Sequence, residues 1–140
     1  MLFSLRLPYG FLVLLAEALR ANFRETDLVA RLGGDEFSII LVETQESRGE
    51  LFRFEYVARA VTPPPPDHVH KEQEERVEVL EGKVSCRISG RECVLGPGES
   101  LTIPAGVYHA VWSSDPWGSR SVGEFRPAMN TQAIFERSFS

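Results

Sequence analysis

No unbroken run of about 18 apolar side chains occurs anywhere in this sequence, so no segment has the make-up of a membrane-spanning helix. Positive charge is also in short supply. Lys and Arg total 15 against 20 Asp and Glu, a formal charge of −5. With no basic patch to replace phosphate counterions, nucleic acids are excluded as partners. Cysteine is nearly absent. Cys86 and Cys93 lack the Cys-x-x-Cys spacing of a metal or redox motif, and buried reduced thiols are the expected state. A secretion signal is not well formed either. Arg6 precedes the apolar stretch Phe11-Leu12-Val13-Leu14-Leu15-Ala16, but Glu17 cuts it short and the segment continues as an amphipathic helix through Arg20. A cytoplasmic protein follows. The length of 140 residues suits one domain with an appendage, and 43% hydrophobic residues can fill its core.

Histidine is nearly as scarce as cysteine, yet all 3 histidines fall in one pattern. His68 and His70 are two apart, which on an extended strand aims both imidazoles to one side. Glu72, Glu74 and Glu75 follow closely. Glu75 shares strand parity with Val77 and Val79 and so faces the core, whereas Glu74 shares a face with Arg76 and Glu78 and reads as solvated. His109 shares parity with Val107 and Val111, again the buried face. Imidazole nitrogen and carboxylate oxygen together suit divalent Fe, Mn, Ni, Cu or Zn, which makes His68, His70, Glu75 and His109 the candidate metal ligands.

These residues carry a resemblance to the cupin family. His68, His70, Glu75 and Gly82 match its first motif, and Gly98, Pro104, Gly106 and His109 match its second. Thr62 stands where the first motif usually opens with Gly, and Ser113 where the second usually ends with Asn. Neither position is a metal ligand in the family, so turn geometry rather than the metal site is affected. The resemblance implies a jelly-roll antiparallel barrel over residues 49–140 holding a mononuclear metal. It also implies a small organic ligand or substrate. Oxygenases, isomerases, lyases and non-enzymatic sensing modules all occur in the family, and the fold does not choose among them. No catalytic residue stands out, and no second acid–base pair is visible. Small cupins resemble one another in pairing through their sheets, so a homodimer is expected.

The pattern of strands agrees with a mainly β architecture. Phe52, Phe54, Tyr56, Ala58 and Ala60 alternate with Arg53, Glu55, Val57 and Arg59, the period of a half-buried strand. Pro63 to Pro66 form a stiff extended segment that delivers His68 to the barrel mouth. Strands at 76–80, 83–88, 92–95, 100–103, 107–112 and 120–126 follow, punctuated by Gly82, Gly90, Pro97-Gly98, Pro104 and Gly118. A two-residue turn at Ser89-Gly90 places Cys86 opposite Cys93, on the face of Val84, Ile88 and Leu95. Asn130 caps a short C-terminal helix through Glu136. Phe54, Tyr56, Val77, Val79, Val111 and Phe125 are the expected cavity lining, mostly apolar and matched to a modest organic molecule.

A second resemblance runs from Tyr9 to about Thr44, within a segment and linker spanning residues 1–48. Arg24-Glu25-Thr26-Asp27 and, after a short spacer, Gly33-Gly34-Asp35-Glu36-Phe37 are similar to the signature hairpin of the diguanylate cyclase (GGDEF) domain. A helix from Phe11 to Phe23 would feed two strands, 27–32 and 36–42, turned by Gly33-Gly34. The family's earlier metal-binding strand has no counterpart in Met1–Pro8, which contain no acidic residue. Asp35 and Glu36 alone cannot assemble metal around a triphosphate, so a catalytically inert fragment is expected. Cyclic di-GMP sensing through Arg24 and Asp27 is the alternative role. Thr44 to Glu50, polar with a Gly, reads as the linker to the cupin.

Overall fold

A computed structural model of the chain describes residues 28–31 and 36–137. Among these described residues nine strands follow one another: β1 (Leu28–Arg31), β2 (Glu36–Val42), β3 (Phe52–Ala58), β4 (Glu74–Glu81), β5 (Val84–Ile88), β6 (Arg91–Leu95), β7 (Ser100–Ile103), β8 (His109–Ser113) and β9 (Ser119–Arg126), and a helix, α1 (Thr131–Arg137), closes the described chain. They form a 6-stranded sheet in the order β1-β2-β3-β9-β4-β7 and a 3-stranded sheet in the order β6-β5-β8. All pairings between them are antiparallel. The expected jelly roll is therefore the observed fold, mainly β with a short C-terminal helix. The helix expected over 11–23, the Gly33-Gly34 turn, and Arg24, Asp27 and Asp35 lie outside the described residues.

Strand register fixes what faces the interior. On the larger sheet, Phe52, Phe125, Glu75 and Ile103 form one cross-strand row; Ile40, Phe54, Gly123, Val77 and Leu101 form the next; Ser38, Tyr56, Ser121 and Val79 form a third. The smaller sheet contributes Val84, Cys86 and Leu95, which pack on Val77 and Val79 in one buried cluster. Cys86 lies opposite Cys93 across a two-residue turn, as expected. Ser89 and Gly90 of that turn have φ of 49° and 82°, the doubly positive pattern of a type I′ hairpin. Both thiols are free, and burial, followed by the neighbouring Cys93, pushes the Cys86 thiol up to about 12, so it stays protonated at neutral pH.

At the end of the barrel that holds Glu75, aromatic rings fill the core. Ile40, Phe52, Phe125 and Ala128 are buried together, and Phe135 of α1 packs against them, its ring tilted 4.7 Å from Phe54 and edge-on 5.6 Å from Phe52. The buried side-chain amide of Gln73 ties this cap down by donating to the carbonyls of Pro127 (2.9 Å) and Ala128 (3.0 Å) and to Thr131 Oγ1 (2.7 Å).

Two readings of the sequence change in detail. Val57 was expected on the half-exposed face of its strand but is buried, because β3 is an inner strand set between Phe37 of β2 and Arg120 of β9. The 44–50 stretch, read as a linker, is a hydrogen-bonded turn: Gly49 N–H donates to Thr44 (2.8 Å), and Ser47 Oγ binds the backbone of Leu51 on both sides. That turn joins β2 to β3, and β2 continues the barrel's own sheet.

Candidate metal centre

Each candidate ligand is placed by a different piece of this framework. Glu75 is the second residue of β4 and points inward opposite Phe125 and Ile103. His109 opens β8 on the facing sheet, beside Ile88. His68 joins that sheet as an isolated bridge, exchanging two 2.9 Å backbone hydrogen bonds with His109. His70 is held because its carbonyl accepts from the N–H of Gly106 at 2.9 Å. Gly106 sits at φ 83°, a conformation that favours glycine. Gly82, the other motif glycine, has φ 74° and no room for a side chain, since a Cβ there would strike the carbonyl oxygen of Gly118. The two motifs are thus stitched together by backbone contacts before their side chains meet.

The side chains converge. His68, His70, Glu75 and His109 each offer one ligand atom, all within 4.8 Å of one another. Donors about 2.1 Å from a common ion lie at most roughly 4.2 Å apart, so sub-ångström shifts bring the four onto one metal. Glu75 Oε1 lies 3.0 Å from His109 Nε2 and 3.2 Å from His70 Nε2. His109 Nδ1 is 2.9 Å from the Val107 carbonyl, which can only accept; Nδ1 therefore carries a proton and Nε2 is the atom turned to the site. His68 Nδ1 makes the same kind of contact with the Pro66 carbonyl at 3.4 Å. Pro63 to Pro66 are in turn gripped by Arg87, which donates to Asp67 at 2.7 Å and reaches the Pro65 carbonyl at 3.4 Å.

Electrostatics fit a cation. Burial pushes the Glu75 carboxyl up, but hydrogen bonds from His109 and His70 outweigh it and hold the group at about 2. Burial works against charge on His109, yet the Glu75 contact and the Val107 carbonyl keep it above its ordinary value. His68 is held low by burial and then by the neighbouring His109. An anionic carboxylate, nearly buried among three imidazoles, is a donor set suited to a divalent ion. Glu74 is exposed, as its parity required, and takes no part.

Beside Glu75 lies a cavity of about 230 Å³ lined by Phe54, Tyr56, Val77, Val111, Trp112 and Ser113, among others. Four of the expected lining residues are there. Val79 and Phe125 are not: Val79 is fully buried in the core, and Phe125 packs edge-on against His70 at 5.1 Å. Sequence reading missed Glu36, Ser121 and Trp112, which also line the space. It missed the coupling of its two motif departures as well. Thr62 Oγ1 accepts from Ser113 N–H at 3.0 Å, Thr62 N–H donates to the Ser113 carbonyl at 3.0 Å, and Ser119 Oγ donates to Ser113 Oγ at 2.7 Å. The two unusual residues complete each other.

Comparison with known proteins agrees with this fold. Residues 53–116 match the family described as the cupin domain. An RmlC-like cupin from Shewanella frigidimarina superposes with a TM-score of 0.64 at 22% identity, covering 79% of this chain and 92% of that one. KdgF from a Halomonas species gives 0.63 at 16% identity, covering 74% and 88%. A predicted oxalate decarboxylase from Thermotoga maritima gives 0.61 at 11% identity, covering 66% and 80%. No curated protein sequence matches the chain. Residues 53–116 therefore match the cupin domain, and the described residues share the jelly-roll fold of these structures. Among the described residues, no helix is long and apolar enough to cross a membrane.

Proposed function

We propose that this cupin binds one divalent transition metal (Fe, Mn, Ni, Cu or Zn) through His68, His70, Glu75 and His109, and binds or transforms a small organic molecule in the adjoining cavity. The observation that carries the reading is the meeting of four donor groups within 4.8 Å of one another, one of which, Glu75, also lines that cavity. When bound, the ion supplies Lewis acidity and open coordination positions for a substrate oxygen. The chain's own part is to hold the imidazoles in one tautomer through the Val107 and Pro66 carbonyls. Its apolar walls (Phe54, Val77, Val111) exclude water from the ligand. The apolar lining favours an organic ligand over a polyphosphate. Turnover would make the protein an oxygenase, isomerase or lyase; retention without turnover would make it a sensing module.

Cobalt(II) titration of the chelated protein tests this. A saturating visible spectrum at about one equivalent is expected, and azide should perturb it by entering an open position. A featureless titration would contradict the metal centre. A spectrum indifferent to azide would contradict open positions.

The N-terminal segment is read as an inert remnant of a diguanylate cyclase hairpin. Support comes from the confinement of the resemblance to Tyr9–Thr44 and from β2, which pairs antiparallel with β3 of the barrel. Cyclic di-GMP sensing through Arg24 and Asp27 is the competing role. Incubation with GTP and magnesium should yield no cyclic di-GMP, and labelled cyclic di-GMP should not bind.

A further inference from the structure

His68 is the most exposed of the four candidate ligands, and the chain that delivers it is held from outside the site. Glu75 Oε1 meets His109 and His70 directly, at 3.0 and 3.2 Å. His68 depends instead on the strap before it, Thr62 to Asp67, which runs along the outer edge of β8. The strap is pinned at both ends. Thr62 exchanges two 3.0 Å hydrogen bonds with Ser113, and His68 exchanges two of 2.9 Å with His109. Pro63 to Pro66 lie between the pins and have no N–H to donate to β8.

Arg87 holds that span. It stands on β5, aligned with Ala110 of β8, and both have the opposite parity to Cys86 and Val111, which pack in the core. They therefore lie on the outer face of the smaller sheet. Two strand spacings, roughly 10 Å, separate β5 from the strap. The arginine crosses them over Ala110, which is fully buried despite facing outward. At the far side, Nε and Nη2 each lie 2.7 Å from Asp67 Oδ1, and Nη2 reaches the Pro65 carbonyl at 3.4 Å. The guanidinium is steadied by the Trp112 ring, whose centre is 5.4 Å away, and by Glu92 at 3.7 Å. Pro65 and Asp67 flank Pro66, whose carbonyl faces His68 Nδ1 at 3.4 Å. One planar fork thus grips the chain on both sides of the group that orients the His68 ring.

We infer that Arg87 is a positioning residue of the metal centre, acting through His68: its fork fixes the strap so that the His68 ring stays aimed at the ion. The inference rests on the metal-centred reading above and deepens it. A lysine in this place would keep the charge but has no planar fork to hold two acceptors at once. With the fork removed, His70, Glu75 and His109 remain in place on their own contacts, and His68 alone is loosened.

Cobalt(II) affinity, the visible spectrum of the cobalt form and the melting temperature of the metal-free protein, all measured on the full chain, test this. Arg87→Met should weaken cobalt binding by about tenfold, and Arg87→Lys should lose nearly as much. The cobalt spectrum of Arg87→Met should move toward that of His68→Ala, which a loss of stability alone would not produce. In the His68→Ala background, Arg87→Met should change affinity by no more than about twofold, because the ligand through which it acts is gone. The melts check that each variant folds; if Arg87→Met does not, Arg87→Lys and Asp67→Asn carry the same comparisons. Wild-type affinity in Arg87→Met or Arg87→Lys, an unmoved spectrum, or an equal loss with and without His68 would overturn the inference. Failure of the wild-type protein to bind cobalt would instead overturn the reading beneath it.

Discussion

Glu75 holds a nearly buried carboxylate between two imidazoles, and that arrangement sets opposite pH dependences for the protein with and without an ion. In the metal-free protein the carboxyl is depressed from 4.5 to about 2, so its contribution to stability is present above pH 4.5 and is lost as pH falls toward 2. His109 is raised above 6.5, so its contribution is full below 6.5 and is lost as pH rises through its raised value. A cation competes with those same protons, so metal affinity strengthens as the imidazoles become neutral. The melting temperature gained on adding metal should therefore grow between about pH 6 and pH 8. A gain that shrinks over this interval would contradict coordination by these imidazoles. At this scale the sequence was most informative. His68 and His70 share a strand face by spacing alone, and Glu75 is singled out from Glu72 and Glu74 by parity with Val77 and Val79. Thr62 with Ser113 was not legible, because that contact depends on how distant segments come together.

At the scale of elements, the hairpin of β1 and β2 is where the sequence left most open. Its strands were readable, since Phe37 to Val42 is almost wholly apolar and so requires cover on both faces. Where that cover lies was not. β2 pairs along β3 from Glu36↔Ala58 to Val42↔Arg53, and Ile40 is buried with Phe52, Phe125 and Ala128. The hairpin is integral to the barrel core in this respect. Ile40→Ala should cost about 2–5 kcal/mol, a drop of roughly 10 °C in the thermal midpoint. An unchanged midpoint would show that the hairpin is a detachable appendage. The C-terminal cap was likewise half-legible. Asn130 signalled the helix, but nothing local signalled that Gln73 would bind its first residue, Thr131, and the two carbonyls before it.

For the whole molecule, we propose a homodimer. Among the described residues, β1 and β7 are the edge strands of the larger sheet, and an unpaired edge invites pairing with a second copy. Light scattering at micromolar concentration should return about twice the 15.7 kDa chain mass, and a monomer would count against the proposal. The central claim is the metal centre, and elemental analysis of anaerobically purified protein addresses it most directly. Wild type and Glu74→Gln should each carry about one divalent transition metal per chain. His68→Ala, His70→Ala and His109→Ala should lose it, with affinity falling by more than roughly a hundredfold, and Glu75→Gln should bind more weakly than wild type. Full metal content in the three histidine variants, or a greater loss in Glu74→Gln than in Glu75→Gln, would contradict the account.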